Sequence, residues 1–168
     1  MDGAVLVAYA SRRGSTREVA QAICVALKRR GVRAHLRPAS EVRDLDGYGS
    51  VVLGGSLYVG RWHGSAHRFL RRHEEALRDR PLAVFALGPI PKRGAKDWEE
   101  SRGQLEAALA RHAVTPVLVE VFGGRIDPER LPFPLSKLPP EDARNWEAIA
   151  DWADALPDAL EARPAALV

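Results

Sequence analysis

The chain has 168 residues, of which 46% are hydrophobic and 28% charged, and 25 Lys and Arg against 22 Asp and Glu give a net charge of +3. This length is sufficient for a core of its own, so we expect a single domain over residues 1–168, with a frayed tail from about residue 157. No apolar stretch reaches the roughly 18 residues of a membrane span, and the amino terminus lacks the pattern of a secretory signal. The sequence therefore predicts a cytoplasmic protein with no integral membrane segment.

The single cysteine and the arginine pairs exclude further classes of protein. Cys24 has no second cysteine with which to form a disulfide within the chain, and we expect it to be a small buried core residue. The pairs Arg29–Arg30 and Arg71–Arg72 fall on predicted helices, where cations near the carboxyl end complement the helix dipole. Aromatic and basic residues do not alternate as they do on base-stacking surfaces, so the sequence predicts no nucleic-acid partner.

Strand and helix patterns alternate along the whole chain. The predicted strands are residues 4–10, 32–37, 50–54, 82–87 and 114–122, and the predicted helices are about 16–30, 66–78, 97–112 and from 141 onward. Helices between consecutive strands require a parallel sheet that carries helices on both faces. The sequence therefore predicts an α/β fold, a three-layer sandwich around a five-stranded parallel sheet.

Three connections and the last helix carry further expectations. Residues 38–49 are predicted to form turns with room for one short helical turn, residues 55–64 a glycine-rich loop, and residues 127–140 a proline-rich segment without periodicity. The residues that we expect the last helix to bury are Trp146, Ile149, Trp152, Ala153 and Leu156.

The turn after the first strand has the composition of a phosphate-binding loop. It reads Ser11-Arg12-Arg13-Gly14-Ser15-Thr16 and leads directly into a helix, whose first amide N–H groups lie at the positive end of the helix dipole. The turn lacks the lysine of a nucleotide-hydrolysing loop and has one glycine where a dinucleotide loop has three. After these two exclusions, the composition is that of a hydroxyl-rich loop around one terminal phosphate, which favours a mononucleotide as the ligand. The alternative interpretation is an ordinary helix cap that binds no ligand.

Other chemistries have weaker support in the sequence. His63 and His67 are four residues apart, as metal ligands on one helix face would be, but no carboxylate or cysteine accompanies them at a matching spacing, and we interpret them as surface histidines. The glycines around Ser56 do not follow the spacing of a nucleophile elbow. The sequence therefore predicts neither a metal site nor a catalytic side chain.

Three segments together resemble the flavodoxin-like family. They are residues 6–16, residues 51–62, which read VVLGGSLYVGRW, and residues 85–89, and the closing Asn145-Trp146-Glu147-Ala148-Ile149 with Trp152 also matches. More narrowly, the chain is similar to the flavodoxin-domain proteins that include the bacterial menaquinone-dependent protoporphyrinogen oxidase. The resemblance implies strand order 2-1-3-4-5 and FMN bound where the loops after strands one, three and four meet.

The resemblance also assigns candidate cofactor-binding residues. Those of the phosphate loop (residues 11–16) are Ser11, Arg12, Arg13, Gly14, Ser15 and Thr16; those of the second loop are Ser56, Leu57, Tyr58, Gly60 and Trp62; those of the third are Leu87, Gly88, Pro89 and Gly94. Tyr58 and Trp62 are the candidates for stacking on the flavin ring, and for Trp62 packing on the following helix is an equal alternative. Glycines such as Gly55 and Gly88 would let the backbone approach the ring edge.

The function itself stays open between two main interpretations. One is an oxidoreductase in which FMN carries the electrons between a reduced donor and a quinone or other small acceptor; the other is an electron carrier that docks on redox partner proteins. Residues 123–140 are too short and too interrupted by proline for an amphipathic membrane helix. The net positive charge modestly favours the enzyme, because carriers of this family are strongly acidic and dock on basic reductases. A scaffold without cofactor is a third interpretation, which the intact loops disfavour.

Overall fold

The computed structural model describes residues 3–58, 60–88, 90 and 94–161. The parallel strands in this part of the chain are β1 (Ala4–Ala10), β2 (Ala34–Pro38), β3 (Tyr48–Tyr58), β5 (Leu82–Leu87) and β6 (Leu118–Phe122). They pair side by side in the order β2-β1-β3-β5-β6. The predicted parallel sheet is confirmed, since these strands in chain order have the arrangement 2-1-3-4-5. A short strand, β4 (Arg61–Trp62), runs antiparallel to the end of β3.

Helices cover both faces of the sheet, as the alternation of side chains along the strands requires. The helices are α1 (Ser15–Arg29), α2 (Gly64–Arg72), α3 (Glu74–Arg78), α4 (Ala95–Leu109) and α5 (Trp146–Glu161). Val5 and Val7 of β1 face the core shared with α1 and α5, whereas Leu6 and Ala8 face the core shared with α2 and α4. The predicted three-layer sandwich is confirmed, and Cys24 is buried in α1 as expected.

Several boundaries differ from the predicted ones. β3 continues to Tyr58, well beyond the predicted end at residue 54, because a hairpin with β4 pairs its last residues. The last parallel strand begins at Leu118 rather than at residue 114, and Pro116, which has no N–H to donate, precedes it. One helix was predicted over 66–78, but the structure has α2 and α3, separated at His73. Between β2 and β3, residues 39–47 form turns and irregular structure with no helical turn.

The segment before the last helix has structure that the sequence pattern did not predict. Residues 125–144, which we call the strap, contain a two-stranded hairpin of β7 (Arg125–Ile126) and β8 (Glu141–Asp142). Between its strands lie two 3₁₀ turns, Pro128–Arg130 and Leu135–Lys137. The predicted start of the last helix at 141 is therefore wrong, since β8 occupies that position.

The last helix also corrects two expectations. Ile149, Trp152, Ala153 and Leu156 are buried as predicted, but Trp146 is 45% exposed and lies against the Arg144 guanidinium at 4.8 Å. The frayed tail was expected from about residue 157, yet the helix runs through Pro157 to Glu161. Burial of Leu156 and Leu160 on both sides of the proline supplies the packing that offsets the lost backbone hydrogen bond. Residues 162–168 lie outside the described residues. No helix in the described ranges is long and apolar enough to cross a membrane.

Candidate functional site

The carboxyl ends of the three central strands meet at one edge of the sheet. Ala10, the last residue of β1, pairs with Gly55 of β3, and Ser56 pairs with Leu87, the last residue of β5. The chain leaves β1 towards β2 on one side and reaches β3 on the other, so a crevice opens between β1 and β3, where doubly wound sheets bind their ligands. The loops predicted to converge therefore begin at neighbouring positions.

The phosphate loop is built around Gly14, whose φ of 92° lies in the left-handed region that favours glycine. Its N–H donates to the Ser11 hydroxyl oxygen at 2.9 Å, and its carbonyl accepts the N–H of Glu18 at 3.0 Å. The N–H groups of the three residues that begin α1, Ser15 to Arg17, have no intrahelical acceptor. The loop thus offers amide donors at the positive end of a 15-residue helix.

Thr16 is the strongest sign of a ligand at this loop. Its side chain is fully buried, yet its hydroxyl has no hydrogen-bond partner among the described residues. A buried hydroxyl without a partner costs about 1–3 kcal/mol, and native structures rarely leave one unsatisfied unless a ligand or water completes it. The hydroxyl fits an oxygen acceptor such as a phosphate placed on the first turn of α1.

Two groups of basic residues surround the loop. Arg12 is exposed, and Arg13 is half-buried, with its guanidinium 5.4 Å from the centre of the Tyr58 ring. From the strap, Arg130 donates to the carbonyl oxygen of Arg13 at 2.6 Å. Glu18 in the first turn of α1 pairs in turn with Arg144 at 2.6 Å. Arg12 and Arg13 thus place positive charge beside the loop, whereas Arg130 pairs with Asp127, and Arg144 with Glu18 and Asp142. Positive charge beside a phosphate strengthens the hydrogen bonds made to it.

The predicted second loop is the β3–β4 hairpin rather than an irregular loop. Ser56 and Leu57 are half-buried, and Tyr58 at the tip is 51% exposed. Gly60 has a φ of 71°, a left-handed conformation that suits glycine in the turn. Tyr58 therefore presents an aromatic ring at the surface beside the phosphate loop, where a planar ligand can reach it.

Trp62 lies in the core instead. It is 4% exposed, pairs with Leu57 in the hairpin and packs edge-on against His67 of α2, with ring centres 5.5 Å apart. A Cβ on Gly55 would lie 2.5 Å from the Trp62 indole nitrogen, so the glycine leaves room for this ring. The geometry favours the alternative given for Trp62, packing against the following helix, and leaves Tyr58 as the candidate for stacking.

The third group of predicted residues is described only in part. Leu87 is 2% exposed in the core, and Gly88 donates its N–H to the Phe122 carbonyl at 2.8 Å. A Cβ on Gly88 would lie 2.8 Å from the Val121 side chain, so packing also requires this glycine. Gly94 is exposed at the start of α4 with a φ of 66°. Pro89 lies outside the described residues.

The two histidines that the sequence analysis interpreted as surface residues are half-buried, and both have structural partners. His63 caps α2 by accepting the N–H of Ser65 on Nδ1 at 3.1 Å. Its pKa lies below the ordinary value because of burial and the nearby Arg12 and Arg68 charges. His67 lies 2.8 Å from His112, between Nδ1 and Nε2. Within the described ranges, no cluster of three or more ligating side chains could hold a metal ion.

Two residues with a possible role at the site were not predicted from the sequence. Arg130 lies 117 residues from Arg13, in a segment without periodicity, so no local pattern could associate the two. His63 was dismissed as a metal ligand, yet its Nε2 is buried without a partner in the described part of the chain. Burial and the charge of Arg12, a residue of the phosphate loop, both lower the pKa of this imidazole.

Together these features define a class: a doubly wound α/β protein with a phosphate-accepting turn at its switch point and an exposed aromatic ring beside it. A sequence model of the flavodoxin domain matches residues 6–134, more than half of the chain. The chain belongs to the flavodoxin-domain family.

The relative found by sequence agrees with this assignment, and the structural neighbours agree with the fold. Protoporphyrinogen IX dehydrogenase [quinone] of Escherichia coli K12 is 23% identical over 123 residues, which are 72% of this chain and 68% of that protein. Oxidised flavodoxin 2 from Bacillus cereus superposes with a TM-score of 0.61 at 20% identity, over 92% of this chain and 98% of its own. A Thermotoga maritima flavo-di-iron protein gives a TM-score of 0.60 at 18% identity, over 95% of this chain and 36% of its own.

FMN is the cofactor that membership of this family implies, and the residues present fit it. The unpartnered Thr16 hydroxyl and the first-turn amides suit its phosphate, and the exposed Tyr58 ring suits its isoalloxazine. The protein is therefore an FMN-binding, flavodoxin-type redox protein.

Proposed function

We propose that this chain is an FMN-dependent oxidoreductase that passes electrons from a reduced donor to a quinone or another small diffusible acceptor. When bound, FMN supplies the electron chemistry, and the protein orients the flavin and limits access to it. The residues proposed to hold the phosphate are those of the phosphate loop, with Thr16 as the buried donor.

The main support for this proposal is the group of arginines around the site, which we call the positive rim. Arg12, Arg61 and Arg130 are exposed around the phosphate loop and hairpin, and Arg13 covers one face of Tyr58. Such a rim opposes docking on the basic reductases that acidic flavodoxins serve, because like charges slow the encounter. It does not hinder a neutral, planar acceptor such as a quinone.

The E. coli relative adds support for the class of acceptor, because its name gives a quinone as the acceptor of that enzyme. No feature of the site supports protoporphyrinogen as a substrate. The proposal therefore names only the class of acceptor, a quinone or another small molecule. The strap contains no helix longer than a 3₁₀ turn, which leaves it without an amphipathic membrane helix.

The second candidate is an electron carrier that docks on partner proteins. Its support is the exposed apolar surface of the strap, where Phe133 is 76% exposed with the Lys137 ammonium 5.3 Å from its ring centre. Exposed aromatic side chains rimmed by charge are typical of contact surfaces.

Anaerobic stopped-flow kinetics separates the two candidates. The FMN-loaded protein is reduced with dithionite and mixed with increasing concentrations of a water-soluble benzoquinone. An enzyme with an acceptor site gives a reoxidation rate that saturates with quinone concentration. A rate that rises linearly, no faster than that of free reduced FMN, contradicts the enzyme; a rate that instead saturates with an acidic redox protein supports the carrier.

A further inference from the structure

The strap contacts the phosphate loop through a reciprocal pair of hydrogen bonds. Arg130 donates from Nη1 to the carbonyl oxygen of Arg13 at 2.6 Å, and Arg13 donates from Nε to the carbonyl oxygen of Arg130 at 3.2 Å. Each arginine side chain thus donates to the backbone carbonyl of the other residue. The two hydrogen bonds hold these residues together although their charges repel each other. The contact joins segments 117 residues apart.

These bonds hold the peptide group between Arg13 and Gly14 from both sides. Its carbonyl accepts from Arg130, and its N–H donates to the Ser11 hydroxyl oxygen at 2.9 Å. The orientation of this peptide determines how the backbone enters α1, because Gly14 precedes its first turn in a left-handed conformation. Fixing the peptide therefore fixes the direction of the amides that begin the helix.

Gly14 also shows how closely the strap approaches the loop. A Cβ at this position would lie 2.9 Å from Nη1 of Arg130, so the end of the flexible arginine side chain would have to shift. The Arg130 guanidinium therefore lies directly against the loop backbone. Its charge is within a few ångströms of the turn that presents the unpartnered Thr16 hydroxyl.

The strap itself is anchored independently of this contact. Arg144, with a side chain 4% exposed, pairs with Glu18 of α1 and with Asp142 of β8, both at 2.6 Å. Arg125 adds pairs to Glu18 and Asp127 at 3.4 Å, and Asp127 contacts Nε of Arg130 at 3.3 Å. Arg130 is therefore presented to the loop by an element already fixed to the first turn of α1.

We propose that Arg130 is a positioning residue for the cofactor phosphate, acting through the Arg13–Gly14 peptide to preform the phosphate loop. A loop held in its binding geometry before the ligand arrives loses less conformational freedom on binding, and a nearby guanidinium favours a dianion. Both effects act on the phosphate and not on the flavin ring. The inference rests on the FMN binding assigned above, and it adds a residue of the strap to the site.

The test compares FMN with riboflavin, which has the same ring and no phosphate. Apoprotein of the wild type, Arg130→Gln, Arg130→Lys and the matched surface control Arg78→Gln is titrated into each flavin, and dissociation constants are read from the fluorescence. Arg78 is a fair control because its side chain is 64% exposed and contacts Glu74 at 3.8 Å, within α3.

Arg130→Gln is expected to weaken FMN binding by about five- to tenfold, the range of one hydrogen bond to a backbone acceptor, while riboflavin binding changes less than about twofold. Arg130→Lys keeps a charged donor and recovers part of the FMN affinity. Arg78→Gln changes neither constant. Urea unfolding of the apoproteins is expected to give the same midpoint for Arg130→Gln as for Arg78→Gln.

Two results would overturn the inference. If Arg130→Gln weakens both flavins equally, Arg130 is only a structural support; if it changes neither, the contact is irrelevant to binding. If Arg130→Gln does not fold, FMN and riboflavin binding are compared in Arg130→Lys instead. We then expect a smaller loss of FMN affinity, again with little change for riboflavin. A wild-type protein that binds no FMN would remove the proposed function together with this inference, whereas tight wild-type binding with an unaffected variant removes the inference alone.

Discussion

At the scale of single residues, the site depends on a polar atom that the fold leaves unsatisfied. The Thr16 hydroxyl is buried without a partner in the described residues, so the protein without ligand bears a desolvation cost that a phosphate would remove. The position thus connects the stability of the free protein with the affinity for its cofactor.

Thr16→Val tests this connection, because valine has nearly the same shape and lacks the hydroxyl. We expect FMN binding to weaken by about 1–3 kcal/mol, the loss of a donor to a charged group, with unfolding of the apoprotein unchanged or slightly harder. Fluorescence titration and urea unfolding measure the two effects, and Thr16→Ser serves as the control that keeps the donor. Unchanged FMN affinity with lower stability would show that the hydroxyl serves the fold.

A pair of aromatic variants tests which ring contacts the flavin. Because Tyr58 is 51% exposed and Trp62 only 4%, Tyr58→Ala is expected to reduce quenching of flavin fluorescence with little effect on stability. Trp62→Phe, which leaves a smaller ring in the core, is expected to lower stability by about 1–3 kcal/mol and to keep the quenching. The opposite pattern, with quenching lost only in Trp62→Phe, would return the stacking role to Trp62.

At the scale of elements, β1, the phosphate loop and α1 together were predictable, because a buried strand, a hydroxyl-rich turn and a 3.6-residue period lie next to one another. The β3–β4 hairpin was not, since the glycines of residues 55–64 favour a loop by composition. The structure shows that Gly55 instead leaves room for the Trp62 ring, as Gly54 does for the Phe85 ring. Such long-range packing has no local signature.

The strap is the element that sequence patterns missed most completely. Its strands are two residues long, too short for an alternation to be detected, and its stability comes from charge pairs between distant segments. The position of Trp146 was missed for a similar reason, because its ring lies against the Arg144 guanidinium, which also pairs with the distant Glu18.

Arg144→Ala is expected to lower the free energy of unfolding by about 1–3 kcal/mol. The buried guanidinium makes charge-assisted hydrogen bonds to Glu18 and Asp142, and bonds of this kind are among the stronger ones. Urea unfolding measures the change, and Arg78→Ala, which removes an exposed pair, is expected to cost less than about 0.5 kcal/mol. Equal losses in the two variants would show that the strap contributes nothing beyond surface charge.

At the scale of the whole molecule, the strand order explains why the site exists. Helical and strand periodicities predicted the sheet, and the order placed the ends of β1, β3 and β5 together. The contacts across that edge, such as Arg13 over Tyr58, could not be predicted, because they depend on side-chain directions that only the packed structure defines.

The half-buried and buried histidines predict how stability varies with pH. Burial is the main cause that lowers the pKa of His63, His67, His73 and His112 below the ordinary value near 6.5. The unfolded chain therefore binds protons that the folded chain does not, so stability is complete above about pH 6.5 and falls as the pH decreases below it.

Urea unfolding at pH 7.5, 6.0 and 5.0 (values chosen to bracket the ordinary histidine pKa of about 6.5) measures this dependence. His112→Gln is expected to flatten it, because the glutamine removes one titrating group from the contact with His67. Stability that increases as the pH falls through this range would contradict the assignment of neutral, buried imidazoles.

The central claim is that the turn beginning at Ser11 binds the phosphate of FMN, and calorimetric titration of the apoprotein tests it most directly. We expect one-to-one binding of FMN, clearly weaker binding of riboflavin, and a selective loss of FMN affinity in Thr16→Val. The absence of heat and of any change in flavin fluorescence with FMN, or equal affinity for FMN and riboflavin, would contradict it.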